Sequence, residues 1–135
     1  MREIKYRQAT FKDGLFLWWH YWGFVGYRGK FVGPINIGCI GDIYEVKPSQ
    51  QYTGLVDKNG KEIYEGDILL APNYLTMSDP MGESDFCSVV METGAFGYQQ
   101  RGMFESFISL YGHGCTSVDE EEVIGSIYEN PELIT

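Results

Sequence analysis

Metal or thiol chemistry in this chain would have to be assembled from two histidines and three cysteines: His20, His113, Cys39, Cys87 and Cys115. Only His113-Gly114-Cys115 brings two of them close in sequence. Structural zinc draws on closely paired ligands of the Cys-x2-Cys kind, and the chain has no such pair. The spacing points instead to a loop histidine beside a small thiol. A cysteine nucleophile needs a base within hydrogen-bond reach, and the sequence shows none for either His20 or His113. Glu62, Glu65 and Asp67 are neighbouring carboxylates, but in a hairpin Glu62 and Glu65 fall on opposite faces. Asp67, directly ahead of a strand, suits a turn in which its side chain accepts backbone N–H groups. No catalytic residue, metal site or cofactor is therefore expected, and the chain reads as a non-enzymatic protein. The second set is aromatic: Trp18, Trp19, Trp22 and Tyr27 stand near Arg28 and Lys30. Such rings stack on nucleobases or fill an apolar contact, and such cations meet phosphate.

The elements that must carry these residues read as strands. Tyr, Phe, Trp and Gly are abundant while Ala and Leu runs are scarce, which favours a β-rich fold. Glu3 to Arg7 alternates charged and apolar residues, as an opening strand with one wet face would. Asp13-Gly14 is a turn. In Leu15 to Val25 both alternating sets are apolar, so this strand is expected to be buried on both faces, inside the fold or across a subunit contact. The ordinary-core reading and the reading as an aromatic binding surface or oligomer interface both remain. Tyr27 to Phe31 forms a short hairpin connection, with Gly29 supplying the unusual dihedral. Gly33, Gly38 and Gly41 mark strand bends; no Lys-Ser/Thr follows them, so a nucleotide loop is not indicated.

Gln51 to Ala71 carries the densest set of consistent signals. Asn59-Gly60 between apolar flanks is a tight hairpin turn, because both residues tolerate positive φ. Glu65-Gly66-Asp67 bends the backbone into the buried strand Ile68-Leu69-Leu70, which Pro72 ends. Residues 73–85 lack a clear period and read as a loop, the kind of place where binding occurs on small barrels. Phe86–Met91 and Ala95–Tyr98 are strands joined at Gly94. Phe104 to Tyr111 is balanced between strand and short helix, Ser117 to Glu122 is an acidic loop or a solvated helical turn, and Val123 to Tyr128 is the closing strand.

QYTGLVDKNGKEIYEGDIL, with VVMETGAFGYQ (Val89 to Gln99) and the C-terminal EEVIGSIYENPELI, resembles the signature of the YopX-like family of phage and prophage proteins. Tyr52, Gly54, Asn59, Gly60, Tyr64, Gly66 and Asp67 fit the pattern. Each has a structural task in packing, turn or bend, so the signature is read as specifying a fold, not a catalytic site. The resemblance implies a mobile-element origin, a small SH3-like barrel and no established activity. The expected architecture is thus all-β: an N-terminal aromatic-rich β region over residues 1–50, then a YopX-like SH3-type barrel with a C-terminal tail over residues 51–135.

Charge bears on partners. The chain's formal net charge is −9 with a pI near 4.6, which argues against a general phosphate-binding surface. An acidic surface favours a basic partner. The leading expectation is an accessory module that binds a host or phage protein. The alternatives are a barrel that binds single- or double-stranded nucleic acid through Trp18, Trp19, Trp22, Tyr27 and Arg28, or an acidic inhibitor that imitates DNA, with Asp119 to Glu122, Glu129 and Glu132 on one surface. The exposed-risk aromatics also suggest a homo-oligomer. An odd number of scattered cysteines suits a reducing compartment, the charged N-terminus lacks a signal-peptide pattern, and Leu15–Val25 is too short for a span. A cytoplasmic protein of a bacterial host, off the membrane, is the expectation.

Overall fold

Two consecutive residues in the left-handed region, Asp13 (φ 52°) and Gly14 (φ 79°), turn the chain between its first two strands. A turn of that hand matches the natural twist of paired strands. The computed structural model describes residues 5–36, 38–40, 44–72, 84–92, 94–100, 103–106 and 121–133. Among these, thirteen strands run in chain order: β1 (Tyr6–Lys12), β2 (Leu15–Trp22), β3 (Phe24–Val25), β4 (Phe31–Val32), β5 (Gly38–Ile40), β6 (Tyr44–Val46), β7 (Gln50–Val56), β8 (Glu62–Tyr64), β9 (Asp67–Pro72), β10 (Ser84–Glu92), β11 (Ala95–Gln100), β12 (Met103–Ser106) and β13 (Glu122–Ser126). Short 3-10 turns occupy Tyr27–Gly29 and Pro131–Leu133. The fold is nearly all β, with a sheet curled as a half-barrel. No helix among the described residues is long and apolar enough to cross a membrane.

The chain divides into two compact units, Met1–Tyr52 and Thr53–Thr135. In the first, β1 is the organising strand. It pairs antiparallel with β2 on one edge and with β6 and the start of β7 on the other. A bulge between Thr10 and Phe11 shifts the β1–β2 register and sets Phe11 opposite Phe16, where their rings meet edge-on at 5.9 Å. Such edge-to-face geometry suits the ring quadrupoles.

Two expectations for this unit are corrected. Arg7, assigned to a wet face, is buried: its Nε donates to Gln50 Oε1 at 3.0 Å and its guanidinium lies 3.9 Å from the centre of the Trp19 ring. A cation taken from water is tolerated when an aromatic face and a hydrogen-bond acceptor replace the lost hydration. Conversely, Leu15–Val25 is not a single strand buried on both faces within the chain. Gly23 (φ 93°) interrupts it after Trp22, and Leu15, Leu17, Trp18, Tyr21 and Val25 are all exposed. Apolar character on both faces is a statement about composition, and β2's position beside β1 alone is a tertiary fact that composition does not contain.

In the second unit the later residues of β7 pair with β8 around the Asn59-Gly60 corner; Gly60 takes φ 81° there but Asn59 does not share the left-handed backbone, and the turn runs from Asp57 to Gly60, with Gly60 N–H donating to Asp57 O at 2.9 Å. A five-stranded antiparallel sheet follows in the order β12-β11-β10-β9-β13. Leu55, Ile63, Leu69, Cys87, Val89, Phe96, Tyr98 and Val123 make its core. Burying an aliphatic side chain of this size contributes about 1.5–3 kcal/mol against leaving it in water. Gly66 (φ 86°) is a junction: its N–H donates to Val89 O and its carbonyl accepts from Ile127 N–H, both at 2.8 Å.

The boundaries of three elements differ from expectation. β10 begins at Ser84, inside the expected 73–85 loop, whose residues 73–83 lie outside the described set. The Phe104 segment is strand as far as Ser106, and 107–120 lie outside the described residues. The last strand ends at Ser126, with Ile127 and Tyr128 in a turn. Glu121, placed by its acidic neighbours in a solvated loop, is fully buried, and its carbonyl accepts from Lys58 N–H at 3.1 Å.

Candidate binding surface

The register of β1 and β2 sorts the tryptophans by face. Ala9 opposes Trp19, while Thr10 opposes Trp18 and Tyr6 opposes Trp22, so Trp19 points one way and the other two point the opposite way. Trp19 packs against Phe16 at 5.1 Å and under Arg7. Trp22 stacks on Tyr6, with centroids 4.4 Å apart and planes 18° from parallel, and its Nε1 donates to Ser49 Oγ at 3.0 Å. Both rings are committed to holding the unit together. Trp18 lies 5.7 Å from the Tyr44 ring at the other end of β2, about half exposed, with Lys12 Nζ 5.9 Å from Tyr44. The three tryptophans therefore form no common platform.

The middle of the Trp18–Trp22 face is closed by the chain after β4. The Gln8 side-chain amide pairs with both backbone groups of Ile35 at 2.8 Å, as a neighbouring strand residue would. His20 Nε2 lies 2.8 Å from Gly33 O; a carbonyl can only accept, so Nε2 carries the hydrogen. His20 is thus occupied in fastening this segment.

Tyr27 and Arg28 stand together on a different feature, the small hairpin of β3 and β4. Val25 is paired directly with Phe31 across it. Gly26 N–H donates to Lys30 O at 2.7 Å and Gly23 N–H to Val32 O at 2.8 Å, which closes the hairpin at both ends. A Cβ at Gly26 would meet Val32 Cγ2 at 2.9 Å, so a side chain there would require Val32 to shift. Gly29 has the unusual dihedral expected of it (φ 71°), and Arg28 also sits in the left-handed region (φ 60°, ψ 30°). A residue with a side chain loses about 1–2 kcal/mol there. The exposed tip carries Val25, Tyr27 and Phe31, with relative exposures of 68%, 83% and 65%. The Arg28 guanidinium rests 5.2 Å from the Tyr27 ring, and Lys30 is exposed beside it.

Charge is segregated in a way the whole-chain total conceals. Met1–Tyr52 carries seven Lys and Arg against four Asp and Glu, a net +3; Thr53–Thr135 carries three against fifteen, a net −12. Summing the charge in segments, and not over all 135 residues, finds this in the sequence alone.

The carboxylates and signature residues serve the second unit's architecture. Asp57, not singled out by its type or spacing, is buried at the hairpin corner: Oδ1 accepts from Asn59 N–H at 2.8 Å and Lys61 N–H at 2.9 Å, and Oδ2 from Val123 N–H at 2.9 Å. Asp67 Oδ2 accepts from Tyr64 N–H at 2.8 Å, with Tyr64 and Asp67 both buried. Gly54 takes φ 86° inside β7. Tyr52, at the end of the first unit, is buried with Lys5 Nζ 4.9 Å from its ring. Cys87 is buried, its Sγ 3.7 Å from Leu69 O. Among the described residues no three His, Cys, Asp or Glu side chains converge as a metal site would require. His113 and Cys115 lie outside them.

A profile of the YopX protein family matches residues 46–135, from the end of β6 through the whole second unit. This chain belongs to the YopX family. The matched range contains the Asn59-Gly60 corner, the Gly66 junction and Asp67, the positions that shape the second unit of this YopX-family chain. No curated protein matches it. A crystal structure of protein EF1440 from Enterococcus faecalis aligns over 100% of both chains at 21% identity with a TM-score of 0.49.

Proposed function

We propose that this YopX-family protein is a non-enzymatic accessory module of phage or prophage origin that captures a host or phage protein. The observation that carries the reading is the charge of the second unit, −12 over Thr53–Thr135. Such a density of carboxylates steers a basic partner towards it and speeds encounter, an effect that salt weakens. The buried carboxylates Asp57 and Asp67 accept backbone N–H groups, and Glu92, Glu129 and Glu132 are exposed to solvent, Glu129 also accepting from Ser126 Oγ at 3.3 Å. The second unit would present them on a small SH3-type barrel, a finer shape supported by its five-stranded antiparallel sheet and the Gly66 ties to Val89 and Ile127. The same acidity supports imitation of DNA at a basic host site as a special case of this reading.

The test is capture from bacterial lysate with the full chain as bait, at low and at high salt. A stoichiometric protein partner is expected, released by salt and lost when Glu92 and Glu132 are both changed to lysine. Recovery of no stoichiometric protein at low salt overturns the proposal.

A further inference from the structure

The hairpin of β3 and β4 combines four properties. Its tip exposes two aromatic rings and a valine to water, an arrangement that in a small protein marks a contact surface. An arginine occupies a left-handed position where glycine would fit without strain. Backbone hydrogen bonds from Gly23 and Gly26 hold the tip in one shape. The unit that bears it is basic, inside a chain that is acidic as a whole.

We infer that Tyr27, Arg28, Lys30 and Phe31 form a finger that binds single-stranded nucleic acid. Tyr27 and Phe31 offer ring faces to unpaired bases, and base–aromatic stacking is tolerant of sequence because every base has a π face. Arg28, already over the Tyr27 ring, and Lys30 neutralise the phosphates on either side of a stacked base. Charge complementarity selects this occupant: a positive unit with aromatic tips suits a polyanion carrying flat apolar groups, and an acidic protein segment would leave the rings without counterparts. The inference is independent of the protein-capture proposal, since it uses a different unit and a different partner.

The experiment measures fluorescence anisotropy of a labelled dT20 oligonucleotide, and of its rU20 counterpart, with the full chain at low salt. Binding of either is expected. Tyr27→Ala should weaken it by roughly tenfold and Tyr27→Phe should restore it, since stacking needs the ring and not the hydroxyl. Arg28→Gln with Lys30→Gln should make the salt dependence shallower by about 1.4 in the slope of log K against log salt. Tyr27, Arg28 and Lys30 are exposed, so unchanged circular dichroism is expected of every variant. Absence of binding at low salt overturns the inference, as does equal affinity for a duplex of the same length, which offers phosphates without unpaired bases. Binding unaffected by Tyr27→Ala overturns it too. So does a wild-type protein that sediments with anionic vesicles or self-associates through Tyr27 while ignoring both oligonucleotides.

Discussion

Replacing Asp57 with asparagine exchanges one carboxylate oxygen for an NH2 group and leaves the size of the side chain unchanged. In the native turn one oxygen serves Asn59 and Lys61 N–H groups and the other serves Val123 N–H, 66 residues along the chain. An amide has a single acceptor oxygen. Whichever way the new side chain turned, the corner or β13 would face a donor with a donor. The bond to Val123 is buried, and a buried donor left without an acceptor costs about 1–3 kcal/mol, with a further ~1 kcal/mol from losing the acceptor's charge at the remaining bonds. Asp57→Asn should therefore destabilise the protein by about 2–4 kcal/mol, nearly as much as Asp57→Ala, and lower Tm by ~5–15 °C. Urea and thermal unfolding followed by circular dichroism measure this directly. An Asp57→Asn protein within ~0.5 kcal/mol of the wild type, the range of ordinary surface changes, would refute the claim that this carboxylate joins the corner to β13.

Gly66→Ala should also destabilise, by about 1–2 kcal/mol for the left-handed backbone alone, and more if the ties to Val89 and Ile127 are lost; stability equal to wild type would show that the junction relaxes freely. Self-association is expected through β2, whose Leu15, Leu17, Trp18 and Tyr21 are exposed, because apolar surface of that extent gains by leaving water. Light scattering should give a mass above the 15.4 kDa of one chain, returning to it in Leu17→Lys; a wild type that stays at monomer mass at high concentration rules this out.

What the sequence made legible was local. The Asn59-Gly60 corner, the Asp13-Gly14 turn and the bend at Gly66 depend on φ preferences of one or two residues, and those are written where they act. Asp57 was not legible, because its third partner, Val123, is distant in sequence and nothing in an Asp-Lys-Asn-Gly string announces it. The burial of Arg7 and Glu121 was hidden for the same reason: a charged residue reads as wet until a tertiary neighbour covers it. For the candidate surface, residue type pointed to five side chains, but strand pairing decided that Trp19 and Trp22 face internal neighbours while Tyr27 and Arg28 share a tip. The local basic charge could have been read from the sequence by segment.

Strand β7 belongs to both units: Gln50 and Gln51 are paired to β1, and from Thr53 onward the same strand serves the hairpin with β8, with Thr53 Oγ1 donating to Ile63 O at 2.7 Å. There is no spacer to cut. A break between Tyr52 and Thr53 would leave the Gln50 and Gln51 pairs to β1 on one side and the Thr53–Ile63 bond on the other, and would interrupt one continuous strand. Any change within Gln50–Val56 must therefore suit the ladder to which its own end of the strand belongs.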